Sequence, residues 1–268
     1  MNFKDRLKRF RILLLNWEYW PWKIVYIPLF LQYFWHGLRS GFSFPTVLNR
    51  PYMSYGGIFE ESKWEMFGKT PPAYMPPTLF FKAGWPVNRL IDDIRQSSLP
   101  YPVIVKPDRG MRGKGVEIIR SESEFNSWTP LPGFDFIVQP FLDYPKEIGA
   151  FVLRHPGSGK WMVSSLMERQ FLVVHGDGIS NLEKLIREND RAFLQLQRWK
   201  QSGKYDLKAV PGSGAIVRLG SIGNHRLGTC FLDARHHLDE QLSEMLISIA
   251  RELPGFEYGR MDIRFQDW

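Results

Sequence analysis

Cysteine is nearly absent: Cys230 is the only one in 268 residues. A disulfide within the chain is therefore excluded, and so is a zinc site built on CxxC spacing. Such a chain fits a reducing, cytoplasmic compartment. Also missing is an apolar stretch long enough to span a bilayer. The hydrophobic segment from Ile12 to Leu38 is interrupted by Glu18, Pro21, Lys23 and Pro28. Its longest uncharged run, Ile24 to Leu38, falls short of the ~20 residues that a span needs. No small-residue cleavage site follows a compact apolar core, which argues against a standard signal peptide. There are no internal repeats, no low-complexity tracts and no Ser-His-Asp signature for nucleophilic catalysis. A nucleic-acid-binding function is suggested only by charge and aromatics. No RNA or DNA module is recognisable, so nucleic acid is not an expected partner.

The chain does carry enough apolar matter for a sizeable core, at 44% hydrophobic residues, and its length bounds it at one to two domains. Its net charge is +7, a balance that attracts phosphates, nucleic acid or anionic lipid. The excess is concentrated at the start, where Lys4, Arg6, Lys8, Arg9 and Arg11 face Asp5 alone. Behind them comes an aromatic series that includes Trp17, Tyr19, Trp20, Tyr26, Phe30, Tyr33 and Trp35. This series has two readings. It packs on the protein itself, or residues 1–38 form a basic, aromatic element lying peripherally on an anionic membrane.

A helix is expected around Glu60 to Phe67, followed by the Pro-rich segment Thr70 to Thr78, whose four prolines forbid regular structure and mark a linker. From Tyr101 onward the pattern changes to short apolar runs separated by glycine and polar turns. Strands are predicted at Val103–Val105, Val116–Ile119, Phe136–Val138, Gly149–Arg154, Trp161–Leu166 and Phe171–His175. A helix follows at Asn181–Asn189, with Ser180 as its cap and Glu183 at the capping-box position. A longer one covers Asp239–Glu252, with Leu242, Met245, Leu246, Ile249 and Ala250 on its apolar face. Strands mixed with few helices argue for an α+β fold.

The chemistry centres on the segment from Val103 to Val116. An apolar strand delivers Lys106 at its end. A loop with three glycines (Gly110, Gly113, Gly115) and three cations (Arg109, Arg112, Lys114) follows, and a second strand leaves it. Glycines let backbone amides approach a polyphosphate, and the cations offset its charge. An ordinary basic hairpin turn is the alternative. Gly157-Ser158-Gly159-Lys160 is not a P-loop, because Trp161 stands where Ser or Thr is required. The glycines of the Lys106 loop join two strands, whereas a Rossmann fingerprint opens a helix.

Lys106 with its glycine-rich hairpin resembles the nucleotide-binding lysine and phosphate loop of the ATP-grasp superfamily. Further features follow in that superfamily's order. Gln139-Pro140-Phe141-Leu142 and then Glu147 resemble its adenine-binding hinge and its ribose-holding acid. His175-Gly176-Asp177-Gly178 before a helix resembles the GDG turn of amide ligases related to cyanophycin and glutathione synthetases. Glu257-Tyr258-Gly259-Arg260-Met261-Asp262-Ile263 resembles the late strand of D-alanine–D-alanine ligases. Upstream, Lys63 stands where the family has its first nucleotide-contacting lysine.

The resemblance covers roughly residues 60–268. It implies two α+β subdomains clasping ATP, at 101–145 and 146–268, after a basic aromatic segment (1–45) and a connecting region (46–100). It implies ATP and Mg²⁺ as cofactors, with Asp262 binding the metal and Arg260 stabilising the tetrahedral intermediate. The implied activity is that of a carboxylate–amine or carboxylate–thiol ligase working through an acyl phosphate, with small-molecule substrates. The acceptor surface is expected in variable loops, about Arg191 to Ile222. The family's further metal ligands, ExN, are absent, because the sequence stops at Trp268, six residues after Asp262. A truncated chain, a non-catalytic ATP-binding module or a site completed by a partner are the expectations that follow.

Overall fold

A computed structural model describes residues 2–44, 48–57, 60–110, 115–220 and 228–268. In chain order the helices are α1 (Phe3–Leu15), α2 (Trp22–Arg39), α3 (Lys63–Lys69), α4 (Val87–Ser97), α5 (Glu122–Ser127), α6 (Leu182–Glu188), α7 (Asp190–Ser202) and α8 (Glu240–Glu252). The strands are β1 (Leu79–Phe81), β2 (Val103–Pro107), β3 (Glu117–Ile119), β4 (Phe136–Pro140), β5 (Lys146–Arg154), β6 (Trp161–Gln170), β7 (Val173–His175), β8 (Ile216–Arg218), β9 (Cys230–Asp233) and β10 (Tyr258–Phe265). Helices and antiparallel sheets in one chain make the fold α+β, as the sequence pattern predicts.

The chain divides into two compact units. One combines residues 1–42 with Met167–Asp233, the other Ser43–Leu166 with Ala234–Trp268. In the first, α6 and α7 carry the core through Leu182, Leu185, Ile186, Phe193, Leu196 and Trp199, joined by Ile12 of α1. Short polar side chains start these helices. Asn181 accepts the Lys184 N–H and Asn189 accepts the Ala192 N–H, each satisfying a free first-turn donor. The cap of α6 is therefore Asn181 and not the expected Ser180, whose own N–H is bound by Asp177. The stretch read as acceptor loops contains α7 and β8, since Ala192, Phe193, Leu196 and Trp199 supply a buried helical stripe.

Core packing of the N-terminal aromatics is not what the structure shows. In α1 only Ile12 is buried, and Trp17, Trp20, Tyr26, Phe30 and Trp35 are exposed. Tyr19 alone of that series packs on the core of this unit.

In the second unit, the sheet β1-β4-β2-β3 is covered on one face by α4 and α5. Alternation decides the faces. Val103 and Val105 of β2, and Phe136 and Val138 of β4, enter the core with Leu90, Ile94 and Phe125. Ile104, Lys106, Ile137 and Gln139 are thereby turned to the other face. β1 and α4, from the segment read as connecting, belong to this layer. Within the Pro-rich segment, Pro72–Tyr74 forms a 3-10 turn, tolerated because Pro at a first helical position needs no N–H partner.

A second sheet pairs β10, β5 and β6, with α8 over Ile148, Ala150, Val152 and Leu166. Asp239 caps α8 through the Leu242 N–H. Ile247 is buried on this helix and Met245 is exposed, so its inner face is rotated from the expected one.

Asn49 fastens the start of β10. It is fully buried, donates to the Tyr258 carbonyl at 2.6 Å and accepts the Glu257 N–H at 2.8 Å. Asn49→Ala removes the partner of two half-buried backbone groups, the Tyr258 carbonyl and the Glu257 N–H, and is expected to lower stability by about 1–3 kcal/mol, measured by urea denaturation. An unchanged midpoint would show that this clip is redundant.

Candidate functional site

Register places Phe80, Ile137 and Lys106 in one row across β1, β4 and β2, on the face opposite the α4–α5 core. Helix α3 lies on that face: Trp64 stacks near Phe80 with ring centroids 5.4 Å apart, and the Phe67 ring sits 5.7 Å from the Lys106 ammonium. α3 is anchored to the loop after β2. Buried Asp108 accepts the Trp64 N–H at 2.7 Å, and Ser62 accepts the Glu65 N–H.

The Lys63 ammonium donates to three carbonyls of that loop, Pro107 (3.0 Å), Asp108 (2.8 Å) and Gly110 (3.2 Å). Its three donors are thus spent on shaping the loop, which makes it a positioning residue in this structure. Arg109 reaches back to the Glu60 carbonyl and the Glu65 carboxylate. Gly115 closes the loop at φ +71°, a left-handed conformation that favours glycine. Arg112, Gly113 and Lys114 lie outside the described residues.

Three side chains of β10 share one face through period-two alternation: Arg260, Asp262 and Arg264. Opposite them on β5 stand Phe151, Gly149 and Glu147. Arg260 Nε lies 2.9 Å from Asp262 Oδ1, and its Nη2 donates to Oδ2 at 3.3 Å. Gly149 leaves room for this pair, since a Cβ there would meet Arg260 Cδ at 3.2 Å and Asp262 Oδ1 at 3.3 Å. Buried Glu147 accepts from Arg264 at 3.2 Å. Arg264 also donates to the Leu142 carbonyl at 2.6 Å and lies over the Phe141 ring.

The ammonium of Lys106 is where these elements meet electrostatically. Burial lowers its pKa to about 8, and Lys63 and Arg264 push the same way, while Glu147 and Asp262 oppose them. The charges of Lys63, Glu147 and Asp262 thus bear on Lys106, and Arg260 joins them through its pair to Asp262.

The hinge residues are placed differently. Gln139 is buried and donates to Thr78 at 2.7 Å, and the Phe141 N–H is bound to the Pro102 carbonyl. Pro140 ends β4 opposite Val103. Asp177 of the GDG turn belongs to the other unit. Hydrogen bonds from Ser180 and Ile179 hold its carboxyl at about 2, which marks a tight turn. Arg264 escaped the sequence reading. The signal was there in the alternation Arg260, Asp262, Arg264.

Around the Lys106 ammonium, Lys63 and Arg264 are set against Glu147 and Asp262, while Lys63 also faces Asp108 and Glu60; cations aimed at one half-buried ammonium are chemistry that suits a polyphosphate. The patch does not fit magnesium in the same way. Among the described residues no three His, Cys, Asp or Glu side chains gather to hold a metal, and Asp262 engages Arg260 with both oxygens.

No family model matches the chain, and no curated protein is significantly similar to it. Among solved structures it is similar to a bifunctional glutathione synthetase from Pasteurella multocida, at 14% identity and a TM-score of 0.38 over 72% of this chain and 27% of that one. It is also similar to a D-Ala:D-Ser ligase from Enterococcus faecalis, at 14% identity and a TM-score of 0.39 over 72% and 44% of the two chains. A third likeness is to a D-alanine–D-alanine ligase from Bacillus anthracis complexed with ATP, at 14% identity and a TM-score of 0.35 over 72% and 47%. The match spans less than half the length of each of these structures.

The electrostatic arrangement has a direct test in the NMR titration of the Lys106 ε-methylene. Arg264→Gln removes a repelling cation and is expected to raise the Lys106 pKa from about 8, whereas Glu147→Gln is expected to lower it. Equal values in all three proteins would contradict the proximity described.

Proposed function

We propose that the patch around Lys106 binds the phosphates of ATP, and that the chain is an ATP-dependent carboxylate-activating ligase of the ATP-grasp type. The observation that carries this reading is the Lys106 ammonium itself. It is half-buried beside two further cations and two carboxylates, and desolvation lowers its pKa to about 8, so an arriving anion would favour its charged form. The loop with Gly110, Arg112, Gly113, Lys114 and Gly115 would supply backbone amides and charge to the same phosphates.

A carboxylate is a poor acylating agent. Its oxygen would attack the γ-phosphorus, breaking the bond to ADP and forming an acyl phosphate. An amine or thiol would then add to the carbonyl and expel phosphate. Lys106 contributes as a fixed positive charge on the phosphates. Arg260 would face the oxyanion at the carbonyl carbon once it leaves Asp262. Asp262 would hold a magnesium ion accompanying the nucleotide only by giving up a bond to Arg260, and the ion would supply further positive charge against the phosphates. A small-molecule carboxylate and an amine or thiol are the proposed substrates.

A second reading, an ATP-binding module without catalysis, is favoured by that closed Arg260–Asp262 pair. The two differ in one readout: release of ADP dependent on both a carboxylate and an amine.

Calorimetry tests the shared premise. Lys106→Met is expected to weaken ATP ~10- to 150-fold, the equivalent of about 1.5–3 kcal/mol for a charge-assisted hydrogen bond. The pH dependence follows from the sign of the shift. Lys106 binds phosphate as the ammonium, which is lost as pH rises through about 8. Wild-type affinity should therefore fall about fivefold from pH 8 to pH 9, and the variant should show no such fall. Absence of ATP binding by the wild type would refute the proposal.

A further inference from the structure

The N-terminal helices carry a surface that the nucleotide site does not use. Helix α1 has two faces. Its inner face is tied to α6 and α7: Asp5 pairs with Arg187 at 2.9 Å, Lys8 with Asp190 at 3.1 Å, Arg9 donates to the Leu194 carbonyl, and Ile12 enters the core. Its outer face repeats apolar residues at steps of four and three, Phe3, Leu7, Phe10 and Leu14, each more than half exposed. Lys4 and Arg11 flank that stripe on one side and Arg6 on the other, all three exposed. In α2 the residues Ile24, Ile27, Leu31 and Leu38 lie on one face and are likewise more than half exposed. Trp17 and Trp20, between the helices, are exposed as well.

Charge decides what covers this surface. Residues 2–44 contain seven Lys and Arg and only two acids, Asp5 and Glu18. Both acids are held inward in ion pairs, Asp5 with Arg187 and Glu18 with Arg191 at 2.8 Å. Among the described residues, Lys4, Arg6, Arg11, Lys23 and Arg39 form no ion pair. An apolar stripe edged by free cations, with its acids turned away, complements an anionic lipid surface. A second copy of the chain would bring the same cations face to face. Neither helix is long and apolar enough to cross a membrane, so the contact is one of lying on it.

We propose that α1 and α2 dock the protein on anionic membrane surfaces, with the Phe3–Leu7–Phe10–Leu14 stripe inserted among the acyl chains and Lys4, Arg6 and Arg11 at the headgroups.

Co-sedimentation of the full chain with phosphatidylcholine vesicles, with and without phosphatidylserine, tests this. Binding is expected to the phosphatidylserine vesicles and to decline with salt. Replacing Lys4, Arg6 and Arg11 together by Gln should weaken it on the order of a hundredfold, at ~1 kcal/mol per cation. Leu7→Asp/Phe10→Asp and Ile27→Asp/Leu31→Asp should each weaken it as well, with circular dichroism and melting unchanged because these side chains are exposed. Lys106→Met should bind vesicles like the wild type, which separates this proposal from the nucleotide reading. No binding, equal binding to uncharged vesicles, or binding indifferent to the α1 substitutions would overturn it. A dimer by light scattering that Leu31→Asp dissociates, without vesicle binding, would assign the surface to a second copy instead.

Discussion

A lysine at the end of a strand becomes a costly group when protein closes around its ammonium. Lys106 is half-buried in that position, and several elements of the second unit bear on it. β2 and β4 turn it away from the apolar core. α3 brings Phe67 beneath it, and the β5–β10 pair sets Glu147 and Asp262 near it along with Arg264. Two carboxylates offset part of the cost of burial, and two neighbouring cations add to it. On the proposed reading the lowered pKa that remains would favour an arriving phosphate, which would offset the charge that desolvation penalises.

Lys63 shows how the surrounding structure is held while that imbalance persists. Its ammonium binds three carbonyls and so fixes the loop that follows Lys106, while its charge still bears on Lys106. The Arg260–Asp262 pair plays a different part. It neutralises itself across one strand, in space that Gly149 leaves open, and stores an arginine beside the site until something competes for it.

Much of this was legible in the sequence wherever a local pattern carries it. The apolar run Val103–Val105 put Lys106 at a strand end before a glycine loop, and the family resemblance singled out Arg260 and Asp262. What the sequence did not reveal depends on partners distant along the chain. That Lys63 would meet the carbonyls of Pro107, Asp108 and Gly110, or that Gln139 would turn to Thr78, follows from packing across the sheet. Arg264 was overlooked because its role arises only when β10 pairs with β5 and brings Glu147 opposite. The helix in Asp190–Ser202 was taken for loop because no motif marks it, although its buried residues recur at helical spacing. Aromatic richness at the N-terminus gave no guide to burial. A stripe facing water and a stripe facing a core have the same periodicity, and only the structure shows that Asp5, Lys8 and Ile12 occupy the inner face of α1.

The most direct test of the central claim is the ionisation of Lys106 in the presence and absence of ATP, followed by NMR on the same ε-methylene signal. If the nucleotide's phosphates meet this ammonium, its pKa must rise from about 8 toward the usual lysine range on saturation with ATP. ATP binding that leaves the titration of Lys106 unmoved would contradict the account, since the phosphates would then lie elsewhere.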